Sequence, residues 1–207
     1  MIKVAITDDH PLLLEGLKNI LSNQPNIEVV ACFSDKTSMM DGLLKTEVDV
    51  ILLDINLADI NTLELIKPLK QKFSSLEIIM LSVHNEYAVI NSSLTEGAKG
   101  YIQKNASVEE IIAGIKTVYD GGSYLCSQSK TVLDKKEEVG LKQIPKLTRR
   151  EKEILVEAAS GLTTNQIAEK LFISHHTVES HRKNLIEKFQ TSNLSTAIKM
   201  AMEYNLI

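Results

Sequence analysis

The sequence predicts an α/β chain in two parts: a five-stranded, doubly wound parallel sheet, then a smaller all-α domain. Three observations lead there. Over residues 1–122 short apolar runs alternate with amphipathic stretches, as when parallel strands are joined by helices covering both faces of a sheet. Residues 123–143 lose that periodicity and become polar around Lys135-Lys136-Glu137-Glu138, which reads as a linker. Beyond Pro145, within residues 144–207, polar N-caps precede a series of short helical patterns.

The expected strands are Lys3–Thr7, Ile27–Phe33, Val48–Leu53, Glu77–Leu81 and Gly100–Gln103. Five helices alternate with them. Pro11 suits a first helical turn, and Leu13, Leu17, Ile20 and Leu21 follow it at helical spacing. Ser107 with Glu110 forms a capping-box signature for the last helix of this part, and Gly121-Gly122 follows its end. In the tail, Thr148 with Glu151 and Thr163 with Gln166 are further capping boxes, Ser174 precedes His175, and Ala158-Ala159-Ser160-Gly161 closes the first helix. A fourth helix is expected near residues 195–202.

With 43% apolar and 24% charged residues, the composition excludes a disordered or collagen-like chain. No apolar stretch approaches the ~20 residues of a membrane span. The N-terminal strand runs straight into Asp8 and Asp9 without a basic region or cleavage site. A cytoplasmic protein is expected, and Cys32 and Cys126 read as reduced thiols. The net charge of −4 is uneven, with residues 1–125 at −7 and residues 145–207 at +2. All three arginines, Arg149, Arg150 and Arg182, lie in the tail, where guanidinium suits phosphate or base edges.

In a doubly wound sheet, ligands bind beyond the carboxyl ends of the central strands. The first expected strand ends in Asp8-Asp9, the third in Asp54, the fourth in Ser82, and the fifth reaches Lys104. Any one of these could be an ordinary cap or turn residue, but five at one end of a sheet point to a site. Three converging carboxylates repel one another unless a cation joins them, and hard oxygen ligands at an open site suit Mg²⁺. With a hydroxyl and an ammonium nearby, an Asp there can accept a phosphoryl group.

The helix expected from Ser174 has two distinct faces. At about 100° per residue, His176, Glu179, Ser180, Lys183 and Glu187 share one side, while Val178, His181, Leu185 and Phe189 share the other. Such a helix packs by its apolar side and offers the polar side to the major groove of DNA. His175, His176 and His181 lack the i,i+4 pair by which helices hold zinc.

Asp8-Asp9-His10-Pro11, Asp54-Ile55-Asn56, Leu81-Ser82 and Gly100-Tyr101-Ile102-Gln103-Lys104 resemble the receiver domain of two-component response regulators, a flavodoxin-like fold. Leu147-Thr148-Arg149-Arg150-Glu151, Gln166-Ile167-Ala168 and Ile173-Ser174-His175-His176-Thr177-Val178 resemble a LuxR-type helix-turn-helix, and the pairing is that of the NarL/FixJ subfamily. The resemblance implies a transcription factor, not an enzyme, that takes a phosphoryl group from a sensor histidine kinase and binds promoter DNA as a homodimer. It implies Asp54 as phosphoacceptor, with Mg²⁺ held by Asp9, Asp54 and the Asn56 carbonyl and by Asp8 through water. It implies that Lys104 pairs with the acyl phosphate, that Ser82 and Tyr101 switch with it, and that Asn56 and His84 flank the attacking water and modulate dephosphorylation. In the tail it implies Glu179, Ser180 and Lys183 as base readers, with Ser174, His176, Thr177 and Arg182 at phosphates or in support.

Two positions depart from the pattern of many relatives: Ala58 stands where they carry Pro, and Thr62 where they carry Gly. The loop after Asp54 is therefore expected to differ in shape. A stand-alone phosphatase of similar α/β shape is the rival reading, and it would need a general acid and a substrate pocket that the tail does not supply.

Overall fold

The computed structural model describes residues 1–58, 60–134, 144–204 and 206–207, in two compact units divided between Glu137 and Glu138. The first unit runs β1 (Ile2–Thr7), α1 (Pro11–Ser22), β2 (Ile27–Phe33), α2 (Lys36–Leu43), β3 (Val50–Asp54), β4 (Asn56–Leu57), β5 (Ile60–Asn61), α3 (Leu63–Lys72), β6 (Glu77–Ser82), α4 (Tyr87–Glu96), β7 (Gly100–Gln103), α5 (Val108–Tyr119), β8 (Tyr124–Leu125) and α6 (Ser127–Asp134).

The main sheet has the order β2-β1-β3-β6-β7-β8, and each neighbouring pair is parallel. Val50, Ile51, Leu52 and Leu53 of β3 are fully buried, as expected of a strand covered on both faces. Strand order reverses at β1, which lies between β2 and β3, and the crevice at such a reversal is where ligands bind. Register aligns the site: Thr7 pairs with Leu53, Asp54 with Leu81, and Ser82 with Gln103. The residues that follow these partners therefore emerge at one edge.

The five expected strands are all present, and the sheet gains a sixth. The segment read as a linker from residue 123 opens with β8 and α6. Cys126 is 1% exposed, its N–H bonds to the Tyr101 carbonyl, and its sulfur lies 3.2 Å from the Ser129 hydroxyl. Glu110 caps two helices at once: it completes the Ser107 box of α5 and accepts the Ser127 N–H at 2.7 Å at the start of α6. Two strand residues are too few to reveal a period of two, and the stapling carboxylate lies 17 positions upstream, so periodicity missed both elements. Residues 135–143 of the expected linker lie outside the described residues. Ile20, counted with the apolar stripe of α1, is 36% exposed, while Leu17 and Leu21 carry that helix's burial.

The second unit holds the four expected helices, α7 (Arg149–Ala159), α8 (Thr164–Lys170), α9 (His175–Lys188) and α10 (Leu194–Glu203). Both tail capping boxes form, Ser174 accepts the Thr177 N–H, and Asn193 caps α10. Gly161 at φ +86° ends α7 in the left-handed region that glycine occupies without strain. Ile154, Leu155, Ile167, Val178, Leu185, Phe189, Ala197 and Ala201 are buried in this unit's core.

Glu151 ties that core to the start of α7. It is 4% exposed, accepts the Thr148 N–H at 2.8 Å and pairs with Lys188 of α9 at 2.7 Å. Burial alone would raise its pKa, but Lys188 and Thr148 outweigh burial and hold it below the ordinary value. Glu151→Ala is expected to destabilise this unit by about 1–3 kcal/mol, a figure reduced because Lys188 keeps contact with solvent. A depressed carboxylate contributes fully above its unfolded pKa and loses that contribution as pH falls through the folded value. Urea unfolding should therefore separate wild type from variant at pH 7, and the gap should close in acid.

Candidate functional site

Asp8 follows β1 and is fully buried, Asp54 ends β3 at 3% exposure, and Ser82 ends β6 at 1%. Lys104 comes one residue after β7, and its ammonium bridges the two buried carboxylates, 2.7 Å from Asp8 Oδ2 and 2.9 Å from Asp54 Oδ2. Burial pushes the Asp54 carboxyl up to about 6, with Asp8 adding to the rise and Lys104 opposing it. For Lys104 burial pulls the pKa down, but Asp8 and Asp54 together turn the balance upward, so the ammonium stays charged.

Ligand atoms from Asp8, Asp9, His10 and Asp54 lie within 4.8 Å of one another. Three carboxylates and the Lys104 ammonium leave two negative charges uncompensated, which one divalent cation would neutralise. Asn56 Oδ1 is buried without a hydrogen-bond partner among the described residues. This set of hard oxygens fits a small divalent ion. His10 was not read from the sequence as part of the site, although it follows Asp9 directly. Its Nδ1 lies 3.0 Å from Asp8 Oδ1 and 2.8 Å from Asp9 Oδ1.

Around Asp54, Asn56 Nδ2 lies 3.2 Å from His84 Nε2, and His84 Nδ1 lies 3.5 Å from Glu86. The Ser82 hydroxyl accepts the His84 N–H at 2.9 Å. Tyr101 points inward, fully buried, and donates to the His84 carbonyl at 2.9 Å, while burial raises its pKa. Gln103 adds a donor to the same carbonyl at 3.2 Å and is a neighbour the sequence reading missed.

β4 and β5 pair as a short antiparallel hairpin, with Ala58 at φ +52° in its turn. Thr62 is fully buried, and its hydroxyl donates to the Asp54 carbonyl at 2.6 Å.

In the second unit, α9 carries Val178, Leu185 and Phe189 inward, while His176, Glu179, Ser180, Lys183 and Glu187 are all exposed, as the helical spacing predicts. His181, assigned to the packed side, is half-buried. Ser174 and Thr177 are joined at the helix start through their hydroxyls, 2.8 Å apart. Arg182 reaches back to α8 and donates to the Thr164 hydroxyl at 2.6 Å. The arginines divide in role. Arg150 is held by Glu153 at 2.8 Å and by the Leu171 carbonyl at 2.9 Å, a brace between α7 and the end of α8, whereas Arg149 is 94% exposed.

Comparison with known proteins accounts for both units. Residues 4–116 match the response regulator receiver domain, and residues 145–201 match the bacterial regulatory proteins of the luxR family. The chain is 37% identical over 193 residues to the transcriptional regulatory protein UhpA of Escherichia coli K12, covering 93% of this chain and 94% of UhpA. It is 32% identical over 215 residues to the transcriptional regulatory protein DegU of Brevibacillus brevis, covering 95% of this chain and 91% of DegU. Among solved structures, it resembles the two-component response regulator RcsB in complex with DNA, at 26% identity and a TM-score of 0.65 over 98% of each chain. No described helix is long and apolar enough to cross a membrane. The chain belongs to the two-component response regulators of NarL/FixJ type, transcription regulators built from a receiver domain and a LuxR-type helix-turn-helix domain.

Proposed function

We propose that Asp54 accepts a phosphoryl group from the phosphohistidine of a sensor kinase, and that this event controls the binding of promoter DNA by α9 in a homodimer, in the cytoplasm. The observation that carries the reading is the Lys104 ammonium bridging two buried carboxylates beside Asp9 at the end of the sheet. Mg²⁺ would be held by Asp9, Asp54 and the Asn56 carbonyl and by Asp8 through water, and it would neutralise phosphoryl oxygens as the group arrives.

The residues divide the work. An oxygen of Asp54 attacks phosphorus, the phosphorus–nitrogen bond of the donor breaks, and its electron pair stays on the imidazole, which takes up a proton. Lys104 then has a phosphoryl oxygen to pair with in place of a carboxylate it already holds. Ser82 Oγ, which now accepts the His84 N–H, can donate its own hydrogen to the phosphoryl group, and Tyr101 is tied to the same His84 main chain. That shared residue supports a joint switch of Ser82 and Tyr101. Asn56 and His84, in contact with each other, flank the approach of hydrolytic water and set the lifetime of the acyl phosphate.

On the other unit, Glu179, Ser180 and Lys183 read base edges, with Lys183 suited to guanine O6 or N7 and Glu179 to cytosine N4. Ser174, His176, Thr177 and Arg182 hold phosphates or support those that do. Incubation with acetyl phosphate, followed by intact-mass measurement, tests the phosphoryl reading. One phosphoryl group should be added with Mg²⁺ present, and none with a chelator or with Asp54→Asn.

A further inference from the structure

Both departures from the relatives' pattern fall on the segment between Asp54 and α3, Ala58 in the hairpin turn and Thr62 just past the hairpin, and both make hydrogen bonds to the acidic pocket. At the far end, the Thr62 N–H bonds to the Ile55 carbonyl at 2.8 Å and the Thr62 hydroxyl to the Asp54 carbonyl at 2.6 Å, so the loop is anchored to the acceptor strand. At the tip, the Ala58 N–H donates to Asp9 Oδ2 at 3.0 Å. Ala58 reaches that position only by adopting φ +52°, a conformation unfavourable for a residue with a Cβ. Proline could supply neither feature, since it has no N–H and its φ is locked near −65°.

We propose that the Ala58 N–H is a positioning group for the metal ligand Asp9, an inference that rests on the reading of Asp9 as a cation ligand. A carboxylate held by one oxygen cannot rotate freely. With Oδ2 fixed by Ala58, Oδ1 is turned into the cluster, where it is buried and faces His10 Nδ1 at 2.8 Å. Hydrogen bonds of this kind orient ligating carboxylates, and losing one typically weakens metal binding 10–100-fold. The left-handed turn is thus the local strain that aims the donor, and the Thr62 anchor resists its relaxation. The chain obtains from a main-chain N–H an orientation of Asp9 that a proline loop would leave to other contacts.

The test is Mg²⁺ titration of the full chain by calorimetry. Ala58→Gly keeps the N–H and removes the Cβ strain, so its affinity should match or slightly exceed wild type. Ala58→Pro removes the donor and should bind roughly 10–100-fold more weakly. Wild-type affinity in Ala58→Pro would overturn the positioning role, whereas wild type that binds no Mg²⁺ would overturn the reading of Asp9 beneath it. Should Ala58→Pro fail to fold, amide hydrogen exchange at Ala58 decides: exchange should quicken at least about tenfold in Asp9→Ala, and an unchanged rate would remove the hydrogen bond from the account.

Discussion

Asp54→Asn is expected to abolish phosphoryl uptake while making the folded chain more stable at neutral pH. The amide matches the carboxylate in size but is not a nucleophile, and Lys104 keeps Asp8 as its partner. The gain in stability follows from burial, which lifts the Asp54 carboxyl from 3.8 to about 6. A carboxyl raised on folding favours the protonated folded state. Its stabilising contribution is complete below about pH 4 and is lost as pH rises through about 6. At pH 7 the ionised Asp54 therefore costs the fold up to about 3 kcal/mol, because each tenfold change in proton affinity is worth about 1.4 kcal/mol. Urea unfolding should show Asp54→Asn more stable by about 1–3 kcal/mol at pH 7, no different at pH 4, and less ahead of wild type once Mg²⁺ is added. Equal phosphorylation of both proteins would contradict the assignment of the acceptor.

Lys183→Ala should reduce affinity for the preferred DNA sequence by about 1–3 kcal/mol, roughly 5–150-fold, and relax the choice of base at one position. Lys183 is 79% exposed, and its neighbour Glu187 lies 4.0 Å away, an exposed pair too weak to hold the ammonium back from a groove. Arg182→Ala should behave differently. Its guanidinium is half-buried on Thr164, so it is suited to a phosphate beside the junction of α8 and α9 rather than to a base. Loss of that contact should weaken all sequences alike and flatten the salt dependence. Binding measured on the preferred site and on scrambled DNA, each at two salt concentrations, separates the two roles.

The sheet was legible because β1, β3 and β6 are buried on both faces and must be written as unbroken apolar runs. The pocket was legible because strand ends are marked by chain position, so Asp8, Asp54 and Ser82 announce themselves where those runs stop. The tail helices were legible through their caps, since Thr148, Thr163 and Ser174 make the bonds their spacing predicts. What escaped the sequence depends on contacts distant along the chain. β8 and α6 exist because Cys126 is buried under the main sheet and Glu110 reaches Ser127. Arg150 looked free for phosphate, but its partners include a main-chain carbonyl 21 positions away, which no local pattern encodes. The bonds that Ala58 and Thr62 make could not be read from the sequence, because they depend on where Asp9 and the Asp54 carbonyl stand in space.

Phosphate on Asp54 is proposed to govern what α9 does on DNA. A single short reading helix needs a second copy for useful affinity, on half-sites about 10 base pairs apart or a multiple of that. Phosphorylation would act by shifting an equilibrium toward the pairing-competent form. Footprinting of the full chain with and without beryllofluoride, beside a fragment spanning residues 143–207, tests this most directly. Binding by the full chain should tighten once beryllofluoride is present, with no such gain in Asp54→Asn, and the fragment should bind whether or not beryllofluoride is added. A full chain indifferent to beryllofluoride, or a fragment without affinity for DNA, would contradict it.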